Sequence, residues 1–262
     1  MKGFLEEYGL IIFVVAVILL MLLFGKSGYA KSIQDAILGS ADHIVETGEN
    51  ITKKEVNVTA GDTLDIEGAK YVVLEERENS QAFVMTANNI GTRKFQSASG
   101  SGADIKRPDG QSISTYEGSE IDNYLENEWY NGLSSTMKAA IQSTNIKQVS
   151  YAIGGIGVQE TGPNGQVYNT ISRHVFLPSV SEIKKVVDYK NPDKINAFLN
   201  GAWIWTRDSS IGYHNAVMVL KPYGYGFDEY FTDYSPGFDV CPTFVIDLSK
   251  IDYTEVGHVD YK

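Results

Sequence analysis

The chain has 262 residues, a formal net charge of −11 and one cysteine, Cys241. So acidic a protein, with no cluster of Lys and Arg, excludes a phosphate-backbone binder, because such a binder needs a basic face; no nucleic-acid partner is expected. A single cysteine also excludes an intramolecular disulfide and any metal centre built from several thiolates.

In chain order, the first feature is Leu10 to Phe24, fifteen apolar residues without a polar interruption. With Tyr8 and Gly9 the run reaches about 25 Å as a helix, near the lower limit for a bilayer core of roughly 30 Å. A buried core helix would show one polar face, and a cleaved signal would carry more than Lys2 at its start and a small-residue site after Phe24. The run therefore predicts a membrane helix. Beyond it Ala30, Ile33, Ile37, Ala41 and Ile44 keep a three-to-four spacing among polar residues, which predicts an amphipathic stalk that Gly48 ends.

Gly3, Glu6, Glu7 and Tyr8 precede the run. This flank resembles type IV pilin-like proteins, the small Flp type above all, in which a peptidase cuts after a glycine and a glutamate precedes the apolar helix. Glu7 stands one residue earlier than the glutamate of that pattern. The resemblance implies pilin-like self-assembly, and a plain single-pass anchor explains the same residues. Residues 1–50 are read as anchor and stalk, and residues 51–262 as one domain. Lys2 on one side against Lys26 and Lys31 on the other slightly opposes an external C-terminus, but the character of the domain makes a cell-membrane protein with its C-terminal domain outside the expectation.

Alternation predicts strands at Val56–Val58, Leu64–Ile66, Tyr71–Leu74 and Ala82–Thr86, and residues 98–111 form a polar loop. Four helix starts follow: Ser119 with an acid three residues on, Ser134 or Ser135, the Ser179-x-x-Glu182 box, and Asn191-Pro192. The stretch Tyr151 to Val158 has glycines at the wrong spacing for a phosphate loop and no following Lys-Ser/Thr. Strands return at Ala202–Arg207, Ala216–Leu220 and Thr243–Asp247. Strands first, helices in the middle and strands last predict an α+β domain whose ends pair in one antiparallel sheet.

Phe176-Leu177-Pro178-Ser179-x-x-Glu182, Trp203 to Ser209, Ala216-Val217-x-Val219 and Val240-Cys241-Pro242-Thr243-Phe244 resemble, in order, the landmarks of an uncharacterised bacterial domain family. That family is similar to the C-type-lectin-like fold of formylglycine-generating enzymes and of the variable proteins of diversity-generating retroelements. The resemblance covers about 190 residues and implies a C-type-lectin-like mixed domain with short antiparallel strands and several short helices, preceded by one long N-terminal transmembrane and stalk helix. Cys241 replaces the family's arginine.

The formylglycine-generating reaction needs two cysteines for copper, and this chain has one; no cofactor, metal or enzymatic activity is expected. An anchored enzyme or inactive relative of that type, and a purely structural pilin, stand as alternatives. His43, His174, His214 and His258 lack metal spacing, and Asp228, Glu229 and Asp233 read as a solvated acidic loop before a calcium site. What remains is the segment from Ser209 to Phe238, rich in tyrosine, short polar residues and glycine, which is the composition of a recognition surface. Tyr213, His214, Asn215, Tyr223, Tyr225, Phe227, Asp228, Tyr230, Asp233 and Tyr234 are the candidate ligand-binding residues. A protein or glycan at the cell surface is the expected ligand. In the retroelement variable proteins this same region carries the diversified positions.

Overall fold

The structure, a computed structural model, describes residues 56–97, 106–154, 157–160, 170–211, 216–224 and 226–262, with the backbone alone for 152–154 and 157–160. The chain divides into two compact units, Met1–Lys54 and Glu55–Lys262, and the account concerns the second. The expected anchor, stalk and cut after Gly3 lie outside the described residues.

Three strands open the domain as a meander: β1 (Asp62–Ile66), β2 (Ala69–Arg77) and β3 (Gln81–Thr86). Glu67 and Gly68, both at positive φ, form the two-residue turn that suits the twist of a hairpin between β1 and β2. β4 (Thr92–Arg93) follows. Ser119 caps α1 (Glu120–Asn123), its Oγ accepting from the Asp122 N–H at 3.2 Å, and the helix continues through a π-helical segment, Tyr124–Trp129, to a last turn, Tyr130–Gly132. Ser134, rather than Ser135, caps α2 (Ser135–Ala140).

The middle of the chain then supplies short strands: β5 (Ile141–Gln142), β6 (Thr144–Ile146), β7 (Ser150–Gly154), β8 (Gly157–Glu160) and β9 (Ile171–Arg173). The glycine-bearing stretch is thus a hairpin, β7 against β8. The capping box at Ser179 and Glu182 forms on α3 (Val180–Val186), and Asn191 with Pro192 opens α4 (Pro192–Leu199). The remaining strands are β10 (Ile204–Ser210), β11 (Ala216–Leu220), β12 (Phe227–Phe231), β13 (Phe238–Asp239), β14 (Thr243–Asp247) and β15 (Thr254–His258).

Two sheets result. The first is antiparallel in the order β15-β1-β2-β3-β14-β5, so the two ends of the domain pair as expected. The second runs β12-β11-β10-β13-β4, with β7 added in parallel to the far end of β10. One apolar cluster joins them, drawing Val73 and Phe83 from the first sheet, Trp205 and Val219 from the second, and Leu125, Val180 and Ile183 from the helices. All seven residues of β10 are buried, as a central strand covered on both faces requires.

The α+β, C-type-lectin-like expectation is corrected by this architecture. Of the described residues 37% lie in strands and 21% in helices, so the domain is mostly β. The helices, apart from the continuous Glu120–Gly132 stretch, are one or two turns long, and β10–β13 build a second sheet instead of extending the first. Among the described residues no helix is long and apolar enough to cross a membrane. The segment in which that helix was expected lies outside those residues.

Candidate functional site

The second sheet exposes aromatic side chains around β12 and β13. Residues alternate across a strand, so Asp228 and Tyr230 share one face of β12 while Phe227, Glu229 and Phe231 share the other. β12 pairs only with β11 in the sheet order, with Tyr230 opposite Val217. β13 is clamped between β4 and the start of β10: Phe238 faces Arg93, Asp239 faces Thr92, and the Asp239 N–H donates to the Trp203 carbonyl at 2.7 Å. In return the Trp203 N–H donates to Asp239 Oδ2 at 3.2 Å. Gly237 approaches the Arg93 backbone so closely that a Cβ would lie 2.1 Å from its carbonyl oxygen, and its φ of 105° is one that side chains rarely permit.

These constraints bring four rings together. Trp203 stacks on Phe238 (centroids 5.5 Å, planes 8° apart), and Phe238 stacks on Tyr234 (4.7 Å, 4°). Tyr230 stands roughly perpendicular to all three, 5.6 Å from Trp203, 4.8 Å from Phe238 and 5.4 Å from Tyr234. Each such pair contributes about 0.5–1.5 kcal/mol beyond the burial of area. The rings brace one another while Tyr234 stays 41% exposed. Tyr223, 51% exposed, packs edge-on against Trp203 at 5.1 Å.

Two open concavities share Tyr230 and Tyr234. One, of about 300 Å3, is closed by Thr92, Trp203, Phe238 and Asp239; the other, of about 440 Å3, is closed by Ala216, Asp228, Glu229 and Phe231. Both fall in the ordinary size range of ligand sites, roughly 300–1,000 Å3. Burial, with Asp228 close by, holds the Tyr230 hydroxyl above the usual tyrosine range, so it stays a neutral hydrogen-bonding group. Asp228 is paired with Lys221, Nζ to Oδ2 at 2.5 Å, and Glu229 accepts from the Ser210 hydroxyl.

The sequence-predicted residues separate on this surface. Tyr230, Tyr234, Asp228 and Tyr223 come together. Phe227 does not: it is buried and packs on Tyr189 at 5.6 Å, because its position on β12 turns it into the core. Asp233 is half-buried beside the cluster and lines neither concavity. Tyr213, His214, Asn215 and Tyr225 lie outside the described residues. Trp203, Phe238, Thr92 and Asp239 were not among the candidates; Trp203 reads locally as one more strand residue, and only the β10–β13 bridge brings it to Phe238.

Other reactive side chains are engaged structurally. Burial pushes the Cys241 thiol up to about 12, so it stays protonated at neutral pH. His174 pairs with Glu126 at 2.7 Å and stacks on Tyr130, and His258 pairs with Asp62 at 2.6 Å. Among the described residues no group of three His, Cys, Asp or Glu side chains is placed to hold a metal ion.

Beneath the site the two boxes of the sequence interlock. Arg207 on β10 donates to Glu182 through two nitrogens, at 2.7 and 2.6 Å, and to the Leu177 and Lys147 carbonyls, each at 2.8 Å. Asp208 accepts from the Val180 N–H at 2.7 Å and the Val149 N–H at 3.0 Å. Residues 79–225, more than half of the chain, match a family model described as a domain of unknown function (DUF6273). The chain belongs to that family. No curated protein and no solved structure matches it. The DUF6273 match takes in both boxes and the Arg207–Glu182 pair, whereas Tyr230, Tyr234 and Phe238 follow its last residue.

Proposed function

We propose that this protein is a surface-displayed binding protein that engages a ligand through the aromatic face around Tyr230 and Tyr234. The observation that carries the reading is the rigid four-ring set, whose exposed end borders two open concavities. Large aromatic side chains exposed together and locked in place lose little freedom on binding, which is what a recognition surface requires. The apolar run from Leu10 to Phe24 supports attachment to a membrane, and the reading takes the domain to be displayed outside the cell. No catalytic constellation enters this reading.

Adhesion tests it. Cells producing the full chain are compared with cells producing Tyr230→Ala/Tyr234→Ala at equal surface amounts, against the surfaces and cells that the wild type binds. The double variant is expected to lose adhesion while its far-ultraviolet circular dichroism and cooperative thermal unfolding show a folded domain. Undiminished adhesion would overturn the proposal.

A further inference from the structure

We infer that the aromatic groove takes a neutral, polyhydroxylated ligand, a glycan of uncharged pyranose units. The inference rests on the binding reading above and names its ligand class. Three observations select this class over charged ones.

Among the described residues no Lys or Arg lines either concavity, whereas Asp239 closes one and Asp228 and Glu229 close the other. Lys221 offsets Asp228, but an anionic ligand would still meet the Asp239 and Glu229 carboxylates. One seat that suits a cation, the Trp203 and Tyr223 faces beside Asp228, is already filled. Lys221 places its ammonium 5.8 Å from the Trp203 ring, 5.3 Å from the Tyr223 ring and 2.5 Å from Asp228 Oδ2. An ammonium ligand would have to displace it to use that seat, and at Asp239 it would compete with the Trp203 N–H.

What the groove offers instead is ring surface flanked by fixed acceptors. Asp239 is held by the Trp203 N–H, and a carboxylate has about four lone-pair sites, so capacity remains for hydroxyl donors. A pyranose presents an apolar C–H face and a rim of hydroxyls. Laid on Tyr234, it buries the C–H face on the ring and turns its rim toward Asp239 on one side or Glu229 on the other. Two concavities meeting at Tyr230 and Tyr234 suit a chain of such units more than a single one.

The test uses the full chain in detergent micelles, with Trp fluorescence and saturation-transfer NMR against an array of neutral oligosaccharides, polygalacturonate as the anionic glycan and tetramethylammonium as the cation. At least one neutral oligosaccharide is expected to bind saturably, Tyr234→Ala to weaken it at least tenfold, and Val256→Ala, on the far strand β15, to leave it unchanged. Lys221→Ala is expected to gain tetramethylammonium binding that the wild type lacks. Absence of neutral-glycan binding in a protein whose adhesion still depends on Tyr230 and Tyr234 overturns the ligand class and spares the binding reading. Preference for polygalacturonate or tetramethylammonium in the wild type does the same. Absence of glycan binding together with adhesion indifferent to both tyrosines overturns both.

Discussion

Arg207 and Glu182 lie 25 residues apart in sequence and meet with nitrogen–oxygen distances of 2.7 and 2.6 Å, both side chains largely withdrawn from solvent. Glu182 also closes the capping box, accepting from the Ser179 N–H at 2.8 Å. One carboxylate thus fixes the start of α3 and the middle of β10. Removing one partner of such a pair strands the other charge in the interior, which costs about 3–5 kcal/mol. Urea unfolding is expected to show a loss of that size for Glu182→Gln or Arg207→Met. The Glu182→Leu/Arg207→Met double variant is expected to lose less than the two single losses added together.

Ser179 tests the helix start separately. Its Oγ accepts from the Glu182 N–H at 3.1 Å. Ser179→Ala is expected to cost about 1 kcal/mol, the usual worth of a cap. Its urea midpoint should shift without a change in the slope of the transition.

Asp208 gives the stability of the domain a pH dependence. Burial, which outweighs the neighbouring Arg207 and its two backbone donors, raises it to about 7. A carboxyl group raised on folding binds its proton more tightly in the folded state than in the unfolded one. Its stabilising contribution is complete below the unfolded value, near 3.8, and is lost as pH rises to about 7. Glu182 is held below its usual range, burial opposing and Arg207 outweighing it, so its own contribution runs the other way and is lost as pH falls. Stability measured by urea at about pH 4.5 and about pH 7.5 is expected to fall more for the wild type than for Asp208→Asn.

Gly237 sets the geometry of the aromatic set. An alanine there would press on the Arg93 backbone and require a strained φ. Gly237→Ala is expected to destabilise the domain by about 1–3 kcal/mol and to alter the near-ultraviolet aromatic bands, since Phe238 follows directly. Unchanged bands and thermal midpoint would show that β13 does not hold the ladder.

Tyr234 is the outer ring, and its loss should be milder. With 41% of its surface exposed and one stacked partner, Tyr234→Ala is expected to cost about 0.5–1.5 kcal/mol. The fold should survive, as thermal unfolding will read.

The sequence by itself determined the local elements. Ser119, Ser179 with Glu182 and Asn191 with Pro192 start helices where their side chains satisfy the first N–H groups, and short apolar runs bounded by turns placed β1, β2, β3, β11 and β14, while the strand expected at Val56–Val58 does not form. These signals act over a few residues, so they survive without knowledge of the rest of the chain. The acidic balance and the single cysteine were equally plain, as was the clustering of tyrosine after Ser209. Tertiary structure alone decided that the late strands form a second sheet, that Phe227 turns inward while Tyr230 turns outward, and that Trp203 stacks on Phe238 across 35 residues. Composition marks which residues suit a surface, but which of them meet depends on strand register, and a shift of one residue exchanges the two faces. Register here is fixed by β13 between β4 and β10, and by a glycine whose need appears only when the Arg93 backbone lies against it.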